Sequence, residues 1–212
     1  MGKKLRSVVL GGSSGMGFAV ASKLHQEGHE VVIASRNPEK LAKAKKKLGK
    51  VEVYVLDMTR EKEVERFFKG LGKFDHLIVT AADFVMGSFL KLKTTDARAF
   101  FDSKFWGQYI AAKHATPYLR QGGSITFFCG TAAQKPLAHF ACGAAINAAI
   151  EGLARALAVE LGPIRVNAIA PGTVETPVWN LVPPKEREKE QETEQREAKI
   201  EKTEAERKPN QD

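Results

Sequence analysis

The chain has 212 residues, 43% of them hydrophobic, enough for one domain with a sizeable core. Its net charge is +8, yet Lys40, Lys43, Lys45, Lys46, Lys47 and Lys50 share a segment with Leu41, Ala44 and Leu48, the pattern of a solvated helix face rather than a nucleic-acid stripe. Cys129 and Cys142 form no metal or disulfide pattern, no apolar run approaches the roughly 20 residues of a membrane span, and no signal sequence precedes the first strand, so a reducing cytoplasm is the expected location.

The first element is a short apolar strand, Ser7–Leu10. A glycine turn follows, with Gly11, Gly15 and Gly17 spaced G-x-x-x-G-x-G around Ser13, Ser14 and Met16, and opens a helix over Gly15–Glu27. Gly11 lets the chain turn sharply, Gly15 lets backbone approach a ligand, and Gly17 lets the helix pack on a sheet. Unpaired N–H groups at the helix start stabilise an anion there. Further strands are predicted at Val31–Ala34, Val51–Leu56, His76–Thr80, Ser124–Phe128 and Arg165–Ala170. Helices are predicted between them: Pro38–Leu48 capped by Asn37, Thr59–Leu71 capped by Thr59, Thr95–Leu119, and Cys142–Leu161. Short continuous apolar strands alternating with helices predict an α/β protein, a doubly wound parallel sheet between two helix layers. In such a sheet ligands bind at the carboxyl ends of the strands, where the glycine turn lies.

Composition changes after Val182. From Pro183 onward there are 8 Lys/Arg and 10 Asp/Glu, a net of −2, which leaves residues 1–182 at +10. Ile200 is the only large aliphatic in that stretch, so residues 183–212 are expected to be a disordered tail or a solvated helix beside one domain, 1–182.

Several motifs together resemble the short-chain dehydrogenase/reductase family over residues 1 to about 178. They are the glycine turn, Leu56-Asp57-Met58, the run Asn147–Leu161, and the run Ile164–Thr176 with its Pro171-Gly172 loop. The resemblance implies a Rossmann fold, an oxidoreductase acting on a carbonyl or alcohol of a small molecule, a nicotinamide cofactor, and a homodimer through the two long helices, whose Ala111, Ala112, Ala115, Ala145, Ala148 and Ala149 are small or apolar. It implies cofactor contacts at Gly11, Ser13, Ser14, Gly15, Met16, Gly17, Asp57, Met58, Thr80, Ala81, Ala82, Pro171, Gly172, Val174 and Thr176. At the end of the second strand, Ser35-Arg36 stands where an NAD-binding fold places an acid. Arg36 can meet a 2′-phosphate with charge-assisted bonds, so NADP is favoured over NAD.

The chain departs from the family at the chemistry. The resemblance implies a proton-exchanging Tyr, a Lys four residues later, a Ser that polarises the substrate oxygen, and an Asn on the preceding helix. Those positions fall at Gly143, Asn147, Gly130 and Lys104, and the family's N-N-A-G is Thr80-Ala81-Ala82-Asp83 here. The catalytic group is therefore unassigned, with His139 and Lys104 as candidates and Cys142, Asp83 and Thr131 behind them. The glycines at 130 and 143 are expected to open space. The family's last strand is expected to be missing, leaving 165–170 as a sheet edge. An atypical oxidoreductase and a catalytically inactive NADP(H)-binding sensor or partner subunit both fit this pattern. No metal site, nucleic acid or membrane partner is expected.

Overall fold

The computed structural model describes residues 4–174 and 176. The chain divides into two compact units, Met1–Gly172 and Thr173–Asp212. The charged segment from Pro183 lies outside the described residues, as does the boundary expected at 182.

Six strands form one parallel sheet: β1 (Arg6–Leu10), β2 (Glu30–Ser35), β3 (Glu52–Val55), β4 (Phe74–Val79), β5 (Leu119–Phe128) and β6 (Arg165–Ile169). Their order, β3-β2-β1-β4-β5-β6, reverses direction between β1 and β4. That reversal leaves a crevice at the carboxyl ends of β1 and β4. Successive side chains of β1 go to opposite faces, Val8 and Leu10 to one core and Val9 to the other. One core gathers Phe68, Phe74, Leu77, Phe127, Ile146 and Ile150; the other gathers Val31, Ile33, Ala21, Leu41 and Leu48. Burying each such large side chain contributes about 1.5–3 kcal/mol.

Among the described residues six α-helices accompany the strands: α1 (Gly15–Gln26), α2 (Pro38–Leu48), α3 (Glu61–Leu71), α4 (Thr94–Phe101), α5 (Gly107–Ala115) and α6 (Ala141–Glu160). The predicted cap of α2 is present, with Asn37 Oδ1 accepting from Lys40 N–H at 2.8 Å. Three expectations need correction. Thr59 does not cap α3; both its N–H and its hydroxyl bond Asp57 Oδ1, and the helix begins two residues later. The long helix predicted over 95–119 is interrupted by a π-helical turn, Asp102–Trp106, and gives way to a 3₁₀ turn at Thr116–Tyr118. β3 is an edge strand, so its Tyr54 and Val55 are exposed rather than covered. Among the described residues β6 is the opposite edge and pairs only with β5. Helix α6, 20 residues long, is apolar enough by length and composition to cross a membrane. It instead buries Gly143, Ile146, Asn147, Ile150 and Ala154 in the core.

Candidate functional site

The glycine turn lies where β1 ends. Gly11 (φ +92°) and Gly15 (φ +52°) adopt left-handed backbone that side-chain-bearing residues avoid. Close approach also excludes a side chain at Gly11, where a Cβ would stand 2.6 Å from both Ala81 N and Thr80 Oγ1. At Gly17 a Cβ would overlap Gly11 O and Thr80 Oγ1. The turn is held from both sides: Gly11 N–H donates to Ala34 O at 2.8 Å, and Thr80 N–H to Leu10 O at 2.8 Å. Helix α1 starts at Gly15 with Ser14 as N-cap, and Ser14 makes no side-chain capping bond. No acidic residue stands in the first turn. A helix start without a side-chain cap, on a backbone-only turn at the mouth of the crevice, fits a pyrophosphate.

The end of β2 is tied to the turn by Ser13, whose hydroxyl donates to Ser35 Oγ at 2.9 Å. The Ser35 oxygen also accepts from Asn37 N–H at 3.2 Å. Arg36 is half-exposed and makes a two-pronged ion pair with Asp83, Nη1 to Oδ2 at 3.1 Å and Nη2 to Oδ1. The Asp83 hydrogen bond holds the Arg36 guanidinium above its usual range, against the opposing effect of burial. Burial pushes the Asp57 carboxyl up, but the two Thr59 bonds and the nearby Arg36 and Arg60 outweigh it and hold it below the usual range. Met58 is buried and packs beside Gly107.

The second half of the site lies at the end of β5. Gln108, 1% exposed, grips that end reciprocally, donating to Phe128 O at 3.1 Å and accepting from Phe128 N–H at 3.3 Å. Beyond it, Cys129 N–H donates to Ile169 O at 2.9 Å and Thr131 N–H to Pro171 O at 3.1 Å, which fixes the loop holding Gly130 and ties Pro171 to it. The π-helical turn, closed by Gly107 N–H on Asp102 O, presents Lys104 from the other side. Lys104 Nζ donates to Asn147 Oδ1 at 2.7 Å and to Cys129 O at 3.2 Å. It lies 5.9 Å from the centre of the Phe100 ring. Burial lowers its pKa to about 8. Burial also pushes the Cys129 thiol up, and its Sγ sits 3.3 Å from Ile169 O.

The expected open space at positions 130 and 143 is filled. A Cβ at Gly130 would stand 2.9 Å from Asn147 Nδ2, so the Asn147 amide occupies the room of a serine side chain. A Cβ at Gly143 would overlap the edge of the Phe140 ring. Phe140 is buried and stacks against Phe84, centroids 5.3 Å apart, with Phe100 at 6.1 Å. His139, with φ +62°, turns the chain so that Phe140 points inward while His139 itself is exposed. Of the two catalytic candidates, the structure brings Lys104 to Asn147 and the Cys129 carbonyl and leaves His139 at the surface. Val174 and Thr176 belong to the second compact unit. Motif matching missed Phe140, Gln108 and the partnership of Arg36 with Asp83. A Phe at the N-cap three residues before a helical Gly is a signal for Phe140, but only after the helix start is known.

The family described as Enoyl-(Acyl carrier protein) reductase matches residues 11–206. The chain is 32% identical over 198 residues to the short-chain dehydrogenase/reductase ATR9 of Stachybotrys chlorohalonatus, covering 84% of this chain and 76% of that one. It belongs to the short-chain dehydrogenase/reductases. A second member, ucsE of an Acremonium species, is 34% identical and covers 82% of this chain and 74% of its own. The fold agrees with a solved small-chain dehydrogenase in complex with NADPH at a TM-score of 0.74 and 40% identity, over 88% of this chain and 78% of that one. As a short-chain dehydrogenase/reductase the chain is an oxidoreductase of Rossmann type, and its β5–α6 corner carries Lys104, Asn147 and Phe140 where the family resemblance implies Asn, Lys and the space of a Tyr.

Proposed function

We propose that the chain binds NADP(H) along the crevice from the glycine turn to the β5–α6 corner and reduces or oxidises a small carbonyl or alcohol substrate. The observation that carries this reading is the α1 start without a side-chain cap beside a β2 end whose Arg36 stands where an acid would favour NAD. The NADPH bound to the related small-chain dehydrogenase agrees with it. Gly11, Ser14, Gly15, Met16 and Gly17 hold the pyrophosphate; Ser13, Ser35 and Arg36 face the adenosine ribose and its phosphate. Asp57 and Met58 border the adenine. Thr80, Ala81, Ala82 and the Pro171-Gly172 loop follow the dinucleotide toward its reacting end.

The nicotinamide, when bound, supplies or accepts the hydride. Lys104 holds the exchangeable proton at Nζ, and Asn147 and the Cys129 carbonyl orient that ammonium. An ammonium with a pKa of about 8 is partly neutral just above neutral pH and so gives up and regains a proton readily. A second reading, cofactor binding without turnover, is favoured by the Phe140 ring, which fills the place of a tyrosine proton donor. Titration of the protein with NADPH and NADH, followed by a carbonyl screen, tests both. Tighter NADPH binding with turnover supports the oxidoreductase, the same binding without turnover supports the second reading, and no binding of either refutes both.

We also propose a homodimer through α5 and α6. Ala111, Ala112 and Ala115 do not take part, since all three are buried within the chain's own core. Exposed Trp106 and Tyr109, with Ala145 and Ala148, supply the face instead. A monomer in sedimentation at micromolar concentration overturns the dimer.

A further inference from the structure

The ion pair between Arg36 and Asp83 crosses the cofactor crevice. Arg36 follows the carboxyl end of β2, Asp83 follows that of β4, and β1 with its glycine turn lies between those two strands. The pair therefore passes over the end of β1, above the turn assigned to the pyrophosphate. Both carboxylate oxygens engage both terminal nitrogens of the guanidinium. This is the planar two-oxygen geometry that a phosphate monoester offers. Asp83 is held on the other side through its backbone, its N–H donating to the buried Ser103 hydroxyl at 3.3 Å. Its side chain is thus presented toward Arg36 by a fixed loop. Asp57 adds a second carboxylate to the field at Arg36.

We propose that Asp83 is a determinant of cofactor specificity: its carboxylate competes with the 2′-phosphate for Arg36, so NADPH binds only by displacing it. The inference rests on the NADP(H) reading above. A phosphate and a carboxylate cannot both accept from the same pair of N–H groups, and the incoming phosphate is also repelled by the released carboxylate. NADH carries no phosphate at that position, so its binding does not require Arg36 to change partner. Asp83 therefore narrows the preference for NADPH that Arg36 alone would give.

The test is binding, read by calorimetry or nicotinamide fluorescence without any substrate, on the full chain and its Asp83→Asn and Arg36→Ala variants. Asp83→Asn keeps the size of the side chain and the Ser103 bond, and a thermal melt checks that it is folded; Asp83→Ser serves if it is not. The expected result is NADPH about fivefold tighter in Asp83→Asn, the upper range for one partly exposed ion pair, with NADH changed less than twofold. The fragment 2′,5′-ADP should follow NADPH, and 5′-AMP should follow NADH. Raising salt should shrink the gain. Unchanged NADPH affinity overturns the proposal. Equal weakening of both dinucleotides also overturns it, because Asp83 would then be accepting from a shared ribose hydroxyl. If the unmodified chain binds NADPH and NADH equally, and Arg36→Ala changes neither, the NADP(H) reading itself has failed.

Discussion

The two ends of the crevice are built from different materials. At the β1 end the surface is backbone: glycines at φ +92° and +52°, a helix start without a side-chain cap, and glycines packed too tightly for a Cβ. At the β5 end it is side chains: Lys104 from the π-helical turn, and Asn147 and Phe140 at the start of α6. The backbone end keeps the glycine spacing that the resemblance implies, Gly11, Gly15 and Gly17. At the side-chain end Gly130, Gly143, Asn147 and Lys104 stand where the resemblance implies Ser, Tyr, Lys and Asn, and the corner is packed and hydrogen-bonded. Lys104 and Asn147 exchange the positions that the resemblance implies for Asn and Lys, and still meet at 2.7 Å. A cation and an amide are thus kept at the same corner with their helices of origin reversed. Backbone geometry tolerates little change, because each glycine answers a steric demand. Side chains can be traded across a cleft when the pair remains satisfied.

The largest test of that contrast is catalysis. Carbonyl reduction should run about 10²–10⁴ slower than in a family member with Ser, Tyr and Lys, the span that a positioned acid supplies. Gly143→Tyr alone should not restore it, since the Phe140 ring already fills the space. Recovery should require Phe140→Ala together with Gly143→Tyr, Asn147→Lys and Lys104→Asn. Steady-state rates with NADPH and a panel of aldehydes measure it. Rapid turnover by the unmodified chain would break the contrast, since the side-chain end would then be as functional as the backbone end. Lys104→Met should abolish such turnover if Lys104 holds the proton.

A smaller effect tests the burial of Lys104. Its folded pKa of about 8 lies below its ordinary 10.5, so between these values the unfolded chain binds more protons than the folded one. Stability contributed through this residue therefore rises with pH across that window and is at its least below pH 8. Relative to Lys104→Met, the unmodified protein should gain about 1–3 kcal/mol between pH 8 and 10.5. Urea unfolding of both proteins at several pH values reads the difference. A flat difference would place Lys104 in solvent and remove it from the corner.

The smallest expected effect belongs to the backbone end. Arg36→Ala should reduce the NADPH preference by about tenfold, close to one charge-assisted hydrogen bond, and leave NADH nearly unchanged. Competitive titration measures the ratio. A similar loss of both dinucleotides would mean that Arg36 supports the β2 end rather than reading a phosphate.

Local sequence pattern was enough for the strand and helix alternation, the glycine turn, the Asn37 cap and the six strands of the parallel sheet, within a few residues at most ends and with β5 starting five residues early. These are local consequences: apolar runs make buried strands, glycine spacing follows from steric demand within a few residues, and an Asn before Pro satisfies a nearby N–H. The resemblance also implies catalytic types at positions 130, 143, 147 and 104 that the sequence does not hold there. Tertiary structure alone decided what replaced them. Phe140 fills the place beside Gly143 because His139 adopts a left-handed turn, which no local pattern announces. Lys104 reaches Asn147 because a π-helical turn redirects it across 43 positions of chain, and Arg36 meets Asp83 across 47. Such pairs depend on where the sheet brings distant segments together, and the charge or size of one residue carries no information about the partner it will find.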